Sequence, residues 1–597
     1  MLSPMWTTLL IAALATLLLI SGKVRADIVG LLVALALAYT GILPLEQALA
    51  GFSSNVVFII IAIFILTKGL ENSGVTAVLG ERLGNLARGS ERRLVVVTML
   101  AAATLSLFMN TVAAAAVLLP PVLAISRQSK NISPSRVLIP LAYGTLLGGT
   151  ATLLTTANLV TSASLAAHGY QPYGLLDFLP VGLPVTVAGL LYMVFIGRRL
   201  LPRHDDAFAP RTSFADLMAA YRLREGLHPL EVQPQSPLVG RPASKPHLAT
   251  ESGLTPVGLA TSRGVRFMHQ LSPERRLLPG DVLLVAGNIQ KTDLESLGLR
   301  PLSDEDICDD FRERATLAEL TLNPRGQAVG KTPQALRLYA RYGMRVLAIW
   351  RHGQILDTSL QAIPLQKGDA LLVQLPPERM EPLRHDPDFV ILETFGGTRA
   401  RPSWQAFTAV GLLLLALVPA AFGWLPLALS ALTAATLMML FGIVPPDQAY
   451  RAVSWRVIFL IAGMIPLGVA MRDTGAAAFL SHQMLKPLAH APAWMIAAAF
   501  LLLTTLLAQI TSGQVAALIV APLAIAAAES RGIDPRSLGM AVAVGASFAF
   551  LLPTGHPVNL LVMGPGNYQP RDYFKVGLPL LLIVVPVAVL AIQVFWL

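Results

Sequence analysis

Charge is scarce in this sequence: Asp, Glu, Lys and Arg make up 13% of its 597 residues, against roughly 25% in soluble proteins. That deficit excludes an ordinary water-soluble fold for most of the chain. Cysteine is nearly absent. Cys308 stands alone, which excludes an intrachain disulfide and a cysteine metal cluster and leaves an incidental thiol. Reactive motifs are missing as well. No His-Glu-x-x-His appears, and no Gly-x-Ser-x-Gly in a nucleophile context, so an enzyme is not expected. Gly326 to Thr332 reads Gly-Gln-Ala-Val-Gly-Lys-Thr, one residue short between the glycines of a phosphate-binding P-loop. It reads instead as a turn.

What the chain has is hydrophobic length, with 54% of its residues apolar. The apolar residues fall in long runs over 1–200 and 402–597, and the stretch 201–400 is ordinary in composition. The chain reads as a polytopic α-helical membrane protein with a soluble insert. Its net charge of +10 fits the basic excess of cytoplasmic loops and needs no nucleic-acid partner. The first apolar run, Met5 to Ile20, lacks the basic stretch that opens a secretory signal, and it has a counterpart later in the chain. It is expected to be a retained membrane helix.

The two apolar regions repeat each other. Leu70-Glu71-Asn72-Ser73-Gly74 matches Met471-Arg472-Asp473-Thr474-Gly475, an offset of 401 residues. The same offset pairs Val57-Phe58 with Ile458-Phe459, Pro121 with Pro522, Gln128-Ser129 with Glu529-Ser530, Pro134 with Pro535, Gly144 with Gly545 and Asn158 with Asn559. Farther on, Val181-Gly182-Leu183-Pro184 matches Val576-Gly577-Leu578-Pro579 at an offset of 395. A membrane crossing needs about 20 apolar residues, or fewer where the bilayer adapts. The first half offers 5–20, 26–42, 55–70, 136–166 and 176–197. It also has 94–126, interrupted by Asn110-Thr111, which is either two short crossings or a re-entrant hairpin. Short arms and a polar tip favour the hairpin.

Loop charges orient the chain. With the N-terminus outside, Lys23, Arg25, Lys68, Arg82, Arg88, Arg92, Arg93, Arg127, Lys130, Arg136, Arg198 and Arg199 all fall inside, and outer loops 43–54 and 167–175 carry no Lys or Arg. The positive-inside rule selects this orientation. Five crossings then bring the insert to the inside, and the second half runs upside down relative to the first. Its spans are 404–423, 425–443, 455–470, 538–565 and 576–597, with a hairpin at 493–528. Its charge bias is weaker: Arg451, Arg456, Arg571 and Lys575 inside, Arg472, Lys486, Arg531 and Arg536 outside. Both termini are expected outside and the insert in the cytoplasm, in a plasma (inner) membrane. Inverted repeats place a binding site near the bilayer midplane, where broken helices meet.

Backbone in lipid must be hydrogen-bonded unless it lines a cavity or is buried in protein. Breaks in apolar runs therefore locate the candidate site. Two are the hairpin tips, Asn110-Thr111 and Thr511-Ser512-Gly513-Gln514. Two lie in the long spans, Gly148-Gly149-Thr150 through Thr155-Thr156-Ala157-Asn158 and Pro553-Thr554-Gly555-His556-Pro557-Val558-Asn559. Helix N-termini and neutral hydroxyl and amide groups suit a small anion, and carbonyls freed at breaks suit Na⁺. A lone Ser or Thr would serve equally well to join helices. His556, the one ionisable group there, suits proton sensing or substrate bonding, and equally a packed neutral ring.

Polar hairpin tips with Thr/Pro-rich breaks ending in Asn resemble the divalent anion:sodium symporters, the dicarboxylate, citrate and sulfate carriers. The resemblance covers both membrane halves. It implies a homodimeric, elevator-type secondary carrier whose tips and breaks hold the anion and sodium, the latter as coupling ion and not as a cofactor. Carried over, substrate falls to Asn110, Thr111, Thr155, Thr156, Thr511, Ser512, Gly513, Thr554, Gly555 and His556. The cation falls to Asn110, Gly149, Asn158, Thr511, Pro553 and Asn559. Met109 stands where the first Ser-Asn-Thr motif has Ser, and Ile510-Thr511-Ser512 stands in place of the second. Sulfate, with a dicarboxylate next, is the implied substrate. An ion channel and a transport-inactive sensor are the alternatives, although no Thr-Val-Gly-Tyr-Gly-like filter is present.

The insert has its own repeat. Leu238-Val239-Gly240-Arg241 matches Ala328-Val329-Gly330-Lys331, Arg263-Gly264 matches His352-Gly353, and the Gly280-Asp281 turn matches Gly368-Asp369, each before an apolar strand. The second unit reads as strand Leu317–Leu322, helix Thr332–Tyr342, and strands Met344–Arg351 and Ala370–Leu375. The units resemble two TrkA-C domains, the C-terminal regulatory domains of potassium-conductance and Trk systems, which implies a nucleotide regulator or an inert dimerisation module. The expected domains are 1–200, 201–312 including a linker, 313–400 and 401–597.

Overall fold

The computed structural model describes residues 3–21, 23–73, 90–128, 132–202, 227–241, 254–261, 264–267, 275–286, 289, 293–302, 317–323, 326–351, 354–356, 360–375, 383, 386, 388–395 and 404–597. Gly74, Arg82, Arg88, Ser129, Lys130, Arg263, Cys308, His352 and Gly353 lie outside them, as do the boundaries drawn at 312/313 and 400/401.

The first membrane half contains α1 (Pro4–Ser21), α2 (Ala26–Tyr39), α3 (Asn55–Asn72), α4 (Glu91–Ser106), α5 (Thr111–Gln128), α6 (Leu138–Gly149), α7 (Thr156–Ala167) and α8 (Leu179–Tyr192). A π-helical turn, Met193–Gly197, extends α8 toward Leu200. The insert carries β1 (Leu227–Val232), β2 (Thr255–Thr261), β3 (Gly264–Phe267), β4 (Val282–Ala286) and β5 (Leu299–Pro301). It continues with β6 (Leu317–Leu322), α9 (Leu338–Tyr342), β7 (Arg345–Arg351), β8 (Gln354–Leu356), β9 (Ala370–Gln374) and β10 (Phe389–Phe395). The second half follows as α10 (Trp404–Ala421), α11 (Leu427–Leu440), α12 (Trp455–Asp473), α13 (Ala476–Leu485), α14 (Ala493–Ile510), α15 (Gly513–Arg531), α16 (Pro535–Ala546), α17 (Pro557–Met563) and α18 (Pro570–Phe595).

Among the described residues, eight helical segments are long and apolar enough to cross a membrane: Pro4–Ser21, Leu45–Asn72, Leu179–Leu200, Trp404–Ala421, Trp455–Asp473, Ala493–Ile510, Gly513–Arg531 and Pro570–Phe595. The two long spans are absent from that set because each is split in two, α6/α7 and α16/α17. The second hairpin differs from the first in arm length. Its arms, α14 and α15, have 18 and 19 residues, so arm length does not distinguish it from two crossings. Gly513 abuts the end of α16, where an added Cβ would lie 2.1 Å from the Ala546 carbonyl. The 12 residues of α16 reach about 18 Å into the bundle at 1.5 Å per residue, so the tip sits at the depth of the break.

Glycines set the close helix crossings. Gly30 of α2 meets Gly463 of α12, where a Cβ on Gly463 would lie 2.3 Å from the Gly30 carbonyl oxygen. Across the repeat, α3 packs on α11, where a Cβ on Gly69 would lie 2.2 Å from the Met438 sulfur. Each half thus lends helices to the other's packing. Matched glycines do matched work. Gly144 packs on Met99 of α4, and Gly545 on Leu501 of α14. Gly182 seats α8 against Ala151 of one break, and Gly577 seats α18 against Phe550 of the other.

Contacts at the ends of the bundle show that α8 and α18 run antiparallel. At one end Arg536 pairs with Asp177 at 2.5 Å, and the rings of Tyr173 and Trp596 meet at 5.6 Å. Arg472 donates to the Ala167 carbonyl at 2.7 Å, and Tyr170 to Glu529 at 2.8 Å. Toward the other end the Tyr192 hydroxyl donates to the Val576 carbonyl at 2.8 Å. There Tyr568 donates to Ser135 O at 2.6 Å and accepts from Ile139 N at 3.0 Å.

The insert forms two five-stranded antiparallel sheets, ordered β3-β2-β4-β1-β5 and β8-β7-β9-β6-β10, the same topology twice. The repeated glycines occupy left-handed turns: Gly240 at φ +79°, Gly330 at +82°, Gly280 at +83° and Gly368 at +88°. Asp281 accepts from Leu278 N at 2.8 Å and Asp369 from Gln366 N at 2.7 Å, closing equivalent turns. The helix expected over Thr332–Tyr342 spans only Leu338–Tyr342. Residues 333–337 form turns, and Arg337 at φ +50° interrupts the helical backbone. The flanking strands are one residue shorter than expected, at Arg345–Arg351 and Ala370–Gln374.

Candidate functional site

The first half-site forms where the tip between α4 and α5 meets the break between α6 and α7. Thr152 of the break donates its hydroxyl to Leu107 O of the tip at 3.1 Å. Asn110 caps α5, its Oδ1 accepting from Val112 N at 3.0 Å, and its carbonyl accepts from Ala114 N at 2.9 Å. A Cβ on Gly149 would lie 2.9 Å from the Thr155 methyl and 3.5 Å from the hydroxyls of both Ser106 and Thr111. Glycine at 149 therefore lets Ser106, Thr111 and Thr155 converge on one point.

Asn158, wholly buried, holds the break together. Its Nδ2 donates to Thr152 O at 2.6 Å and to Gly149 O at 3.4 Å. Its Oδ1 has no hydrogen-bond partner, nor do the buried hydroxyls of Ser106 and Thr155. Buried polar atoms are nearly always satisfied, and a native exception calls for an explanation such as an ion. Three neutral oxygen donors without protein partners are the donor type a sodium ion takes, so these residues fit the expected cation.

The second half-site repeats this plan with different side chains. Asn559, also wholly buried, donates from Nδ2 to Ala549 O at 2.8 Å and Leu552 O at 3.4 Å. Its Oδ1 is likewise unpartnered. Proline supports this break where the first has none: Pro553 opens a 3₁₀ turn, and Pro557 starts α17, a position at which its missing N–H costs no helical bond. His556 caps α17, its Nδ1 accepting from Val558 N at 3.2 Å.

At the second tip, Thr511 donates to Leu507 O at 2.9 Å. Ser512 caps α15 by accepting from Val515 N at 3.4 Å. Matching the caps aligns Asn110 with Ser512 and Thr111 with Gly513, one residue away from the alignment at offset 401. The position of Thr111 is taken by glycine because of the Ala546 carbonyl. Gly555 packs on the α14 backbone at Ala508 and Gln509. Thr155, Thr156, Thr511, Ser512 and His556 are half-buried and Thr554 is exposed, while the two asparagines below them are sealed.

Two contributors escaped the sequence reading. Ser106 ends α4 and looks like any helix-joining serine. Gln509 lies in an apolar run, yet it donates from Nε2 to Phe548 O at 2.7 Å and accepts at Oε1 from Leu551 N at 2.9 Å. It thereby staples the second hairpin to its break. The recurrence of a polar residue just before each tip was the only available signal.

The chain is similar to known membrane transport proteins. The citrate transporter family (CitMHS) matches residues 16–514. An uncharacterized transporter of Escherichia coli, YfbS, is 32% identical over 98% of this chain and 98% of its own. Sodium/sulfate cotransporter 2 of Chlamydomonas reinhardtii is 29% identical over 44% of this chain and 31% of its own length. The crystal structure of the Alcanivorax borkumensis YdaH transporter aligns over 99% of this chain and 98% of its own, at 14% identity and a TM-score of 0.41. The expectation of a membrane transporter rather than an enzyme is borne out. On the family match and the full-length relative, this integral membrane protein belongs to the citrate transporter family.

Proposed function

We propose that the chain is a sodium-coupled secondary carrier of a small divalent oxyanion, with sulfate the first candidate and a dicarboxylate the second. The observation that carries this reading is the pair of buried, unpartnered amide oxygens, Asn158 Oδ1 and Asn559 Oδ1, one behind each hairpin tip. In the reading, Asn110, Gly149, Asn158, Thr511, Pro553 and Asn559 supply oxygens to sodium, with the hydroxyl oxygens of Ser106 and Thr155 added to the first set. Thr111, Thr155, Thr156, Ser512, Gly513, Thr554, Gly555 and His556, together with Asn110 and Thr511, present donors to the anion. No Lys, Arg, Asp or Glu is in either set, so the anion meets hydroxyls, amides and helix N-termini, and the sodium ions supply the countercharge. The name of the sodium/sulfate relative supports the same choice of ions.

The matched glycines, the antiparallel α8 and α18, and the exchange of scaffold helices support two inverted repeats over 1–200 and 401–597. Each has five crossings and a hairpin, with both termini outside and the insert cytoplasmic. The two equal sheet topologies support paired TrkA-C-like units over 201–312 and 313–400. A homodimer moving its site by an elevator motion and a nucleotide acting on the insert complete the proposal.

Uptake of labelled sulfate and succinate into proteoliposomes, with and without a Na⁺ gradient, tests it. Sodium-driven accumulation of one anion is expected, and Asn158→Ala and Asn559→Ala should each reduce it at least about tenfold, the effect of losing about 1.4 kcal/mol of binding. Accumulation of neither anion would overturn the carrier reading. Normal uptake in both variants would overturn the site.

A further inference from the structure

Among the described residues, the insert touches two elements that take part in the proposed half-sites. β10 lies against α5, whose first residue is Thr111. The Lys367-Gly368-Asp369 turn lies against the Met563-Gly564 turn that ends α17, four residues beyond Asn559. The second contact is backbone on backbone. A Cβ built on Gly564 would lie 1.8 Å from the Gly368 carbonyl oxygen, and the three nearest atoms all belong to Gly368.

Gly564 itself has right-handed helical dihedrals, φ −64° and ψ −57°, which any residue adopts. The local fold of the membrane region does not require glycine there. What excludes a side chain at 564 is the insert. Gly368 does need its own conformation, at φ +88°, and its turn is stiff. Asp369, wholly buried, accepts from Gln366 N and from both Nε and Nη2 of Arg351, at 2.7, 2.8 and 2.7 Å. On the membrane side the same loop continues to Tyr568, whose hydroxyl bonds the backbone at Ser135 and at Ile139 in the first turn of α6. The crevice between the turns, lined by Arg351, Lys367, Asn567 and Tyr568, has a volume of about 10 Å³, room for a single water at most. It is a contact and not a ligand pocket.

We propose that the Gly368 turn is an autoinhibitory latch on α17. The insert is joined to the chain after α8 and before α10, and it grips α5 and α17, so these site-bearing elements cannot shift against the insert without breaking the contact. Docked, the turn holds the carrier in the state described here. Undocked, it frees the broken helix to move. The latch rests on the proposed carrier function, and its test is built to fail separately from it.

Gly564→Val places a branched side chain where the three nearest atoms all belong to the insert, so the membrane region should fold as before. In the full-length protein, hydrogen exchange of 563–568 and 366–369 should rise in the variant, and initial sodium-driven sulfate uptake should increase by about twofold or more as the restrained population is released. Unchanged exchange in both segments would show that the turns do not hold one another and would overturn the latch. Raised exchange with equal or slower uptake, in a variant that remains monodisperse, would overturn its inhibitory sense. Wild-type protein that accumulates neither sulfate nor succinate would count against the carrier reading, and the exchange result would still decide whether the contact holds.

Discussion

Replacing Asn158 by Ala separates the two jobs of its amide. The Nδ2 group donates a short bond to Thr152 O at 2.6 Å and a long one to Gly149 O at 3.4 Å. Only the first has full-strength geometry. Its loss strands one buried carbonyl, which costs about 1–3 kcal/mol. The Oδ1 atom makes no bond within the protein, so its removal costs nothing in the ion-free state. It costs about 1.5–3 kcal/mol once a charged partner sits there, which converts to a rise of roughly tenfold to a hundredfold in the half-saturating Na⁺ concentration. The two effects appear on different axes of one experiment. Thermal unfolding of the detergent-purified protein is followed as NaCl replaces choline chloride at constant ionic strength. The wild type should gain stability as Na⁺ rises, as any ligand bound only to the native state requires. Asn158→Ala should start lower without Na⁺ and respond only at much higher concentration. A variant with a lowered baseline but an unchanged Na⁺ midpoint would refute the reasoning, because the amide would then act only as a staple for the break.

Ser106→Ala removes a hydroxyl that bonds nothing in the protein. Stability without Na⁺ should stay within about 0.5 kcal/mol, while the Na⁺ midpoint rises severalfold in the same titration; an unchanged midpoint would return Ser106 to simple packing. Gly30→Leu drives a side chain into the α12 backbone, where even a Cβ would lie 2.8 Å from the Phe459 carbonyl, and should abolish recovery of monodisperse protein by size-exclusion chromatography. Arg351→Met leaves Asp369 buried without its partner, a loss of about 3–5 kcal/mol. It should expose the second insert unit to limited proteolysis while the membrane helices keep their helical circular dichroism.

The candidate site was legible where the two halves kept the same residue for the same job. Asn158 and Asn559 are matched in sequence, and each ties its break with one short and one long amide bond. Gly144 with Gly545, and Gly182 with Gly577, are matched because a backbone passes too close for a Cβ, that of a helix in the first pair and that of a break in the second. Legibility failed where one job is done by different chemistry. Asn110 and Ser512 both cap the second arm of a hairpin, yet residue matching set Asn110 against Thr511, since nothing in the sequence shows the Ala546 carbonyl that forces glycine at 513. Gln509 was invisible for a related reason: its partners, Phe548 O and Leu551 N, are backbone atoms of an apolar segment. In the insert, the Gly-Asp turns were readable from local backbone demands. The shortened α9 was not, because it depends on a left-handed Arg337, a residue type with no preference for that conformation.

The crossing of α2 with α12 also has a consequence for biogenesis. Gly30 and Gly463 are separated by about 430 residues of chain, and at synthesis rates of about 5–20 residues per second the first waits roughly 20–90 s for the second. Through that interval α2 must rest in the bilayer with its glycine face turned to lipid or to a chaperone, and the insert is completed before the membrane core closes. Neither half alone presents a finished surface. A ribosome stalled in the insert would therefore leave an assembly intermediate for membrane quality control to capture, rather than a smaller working protein.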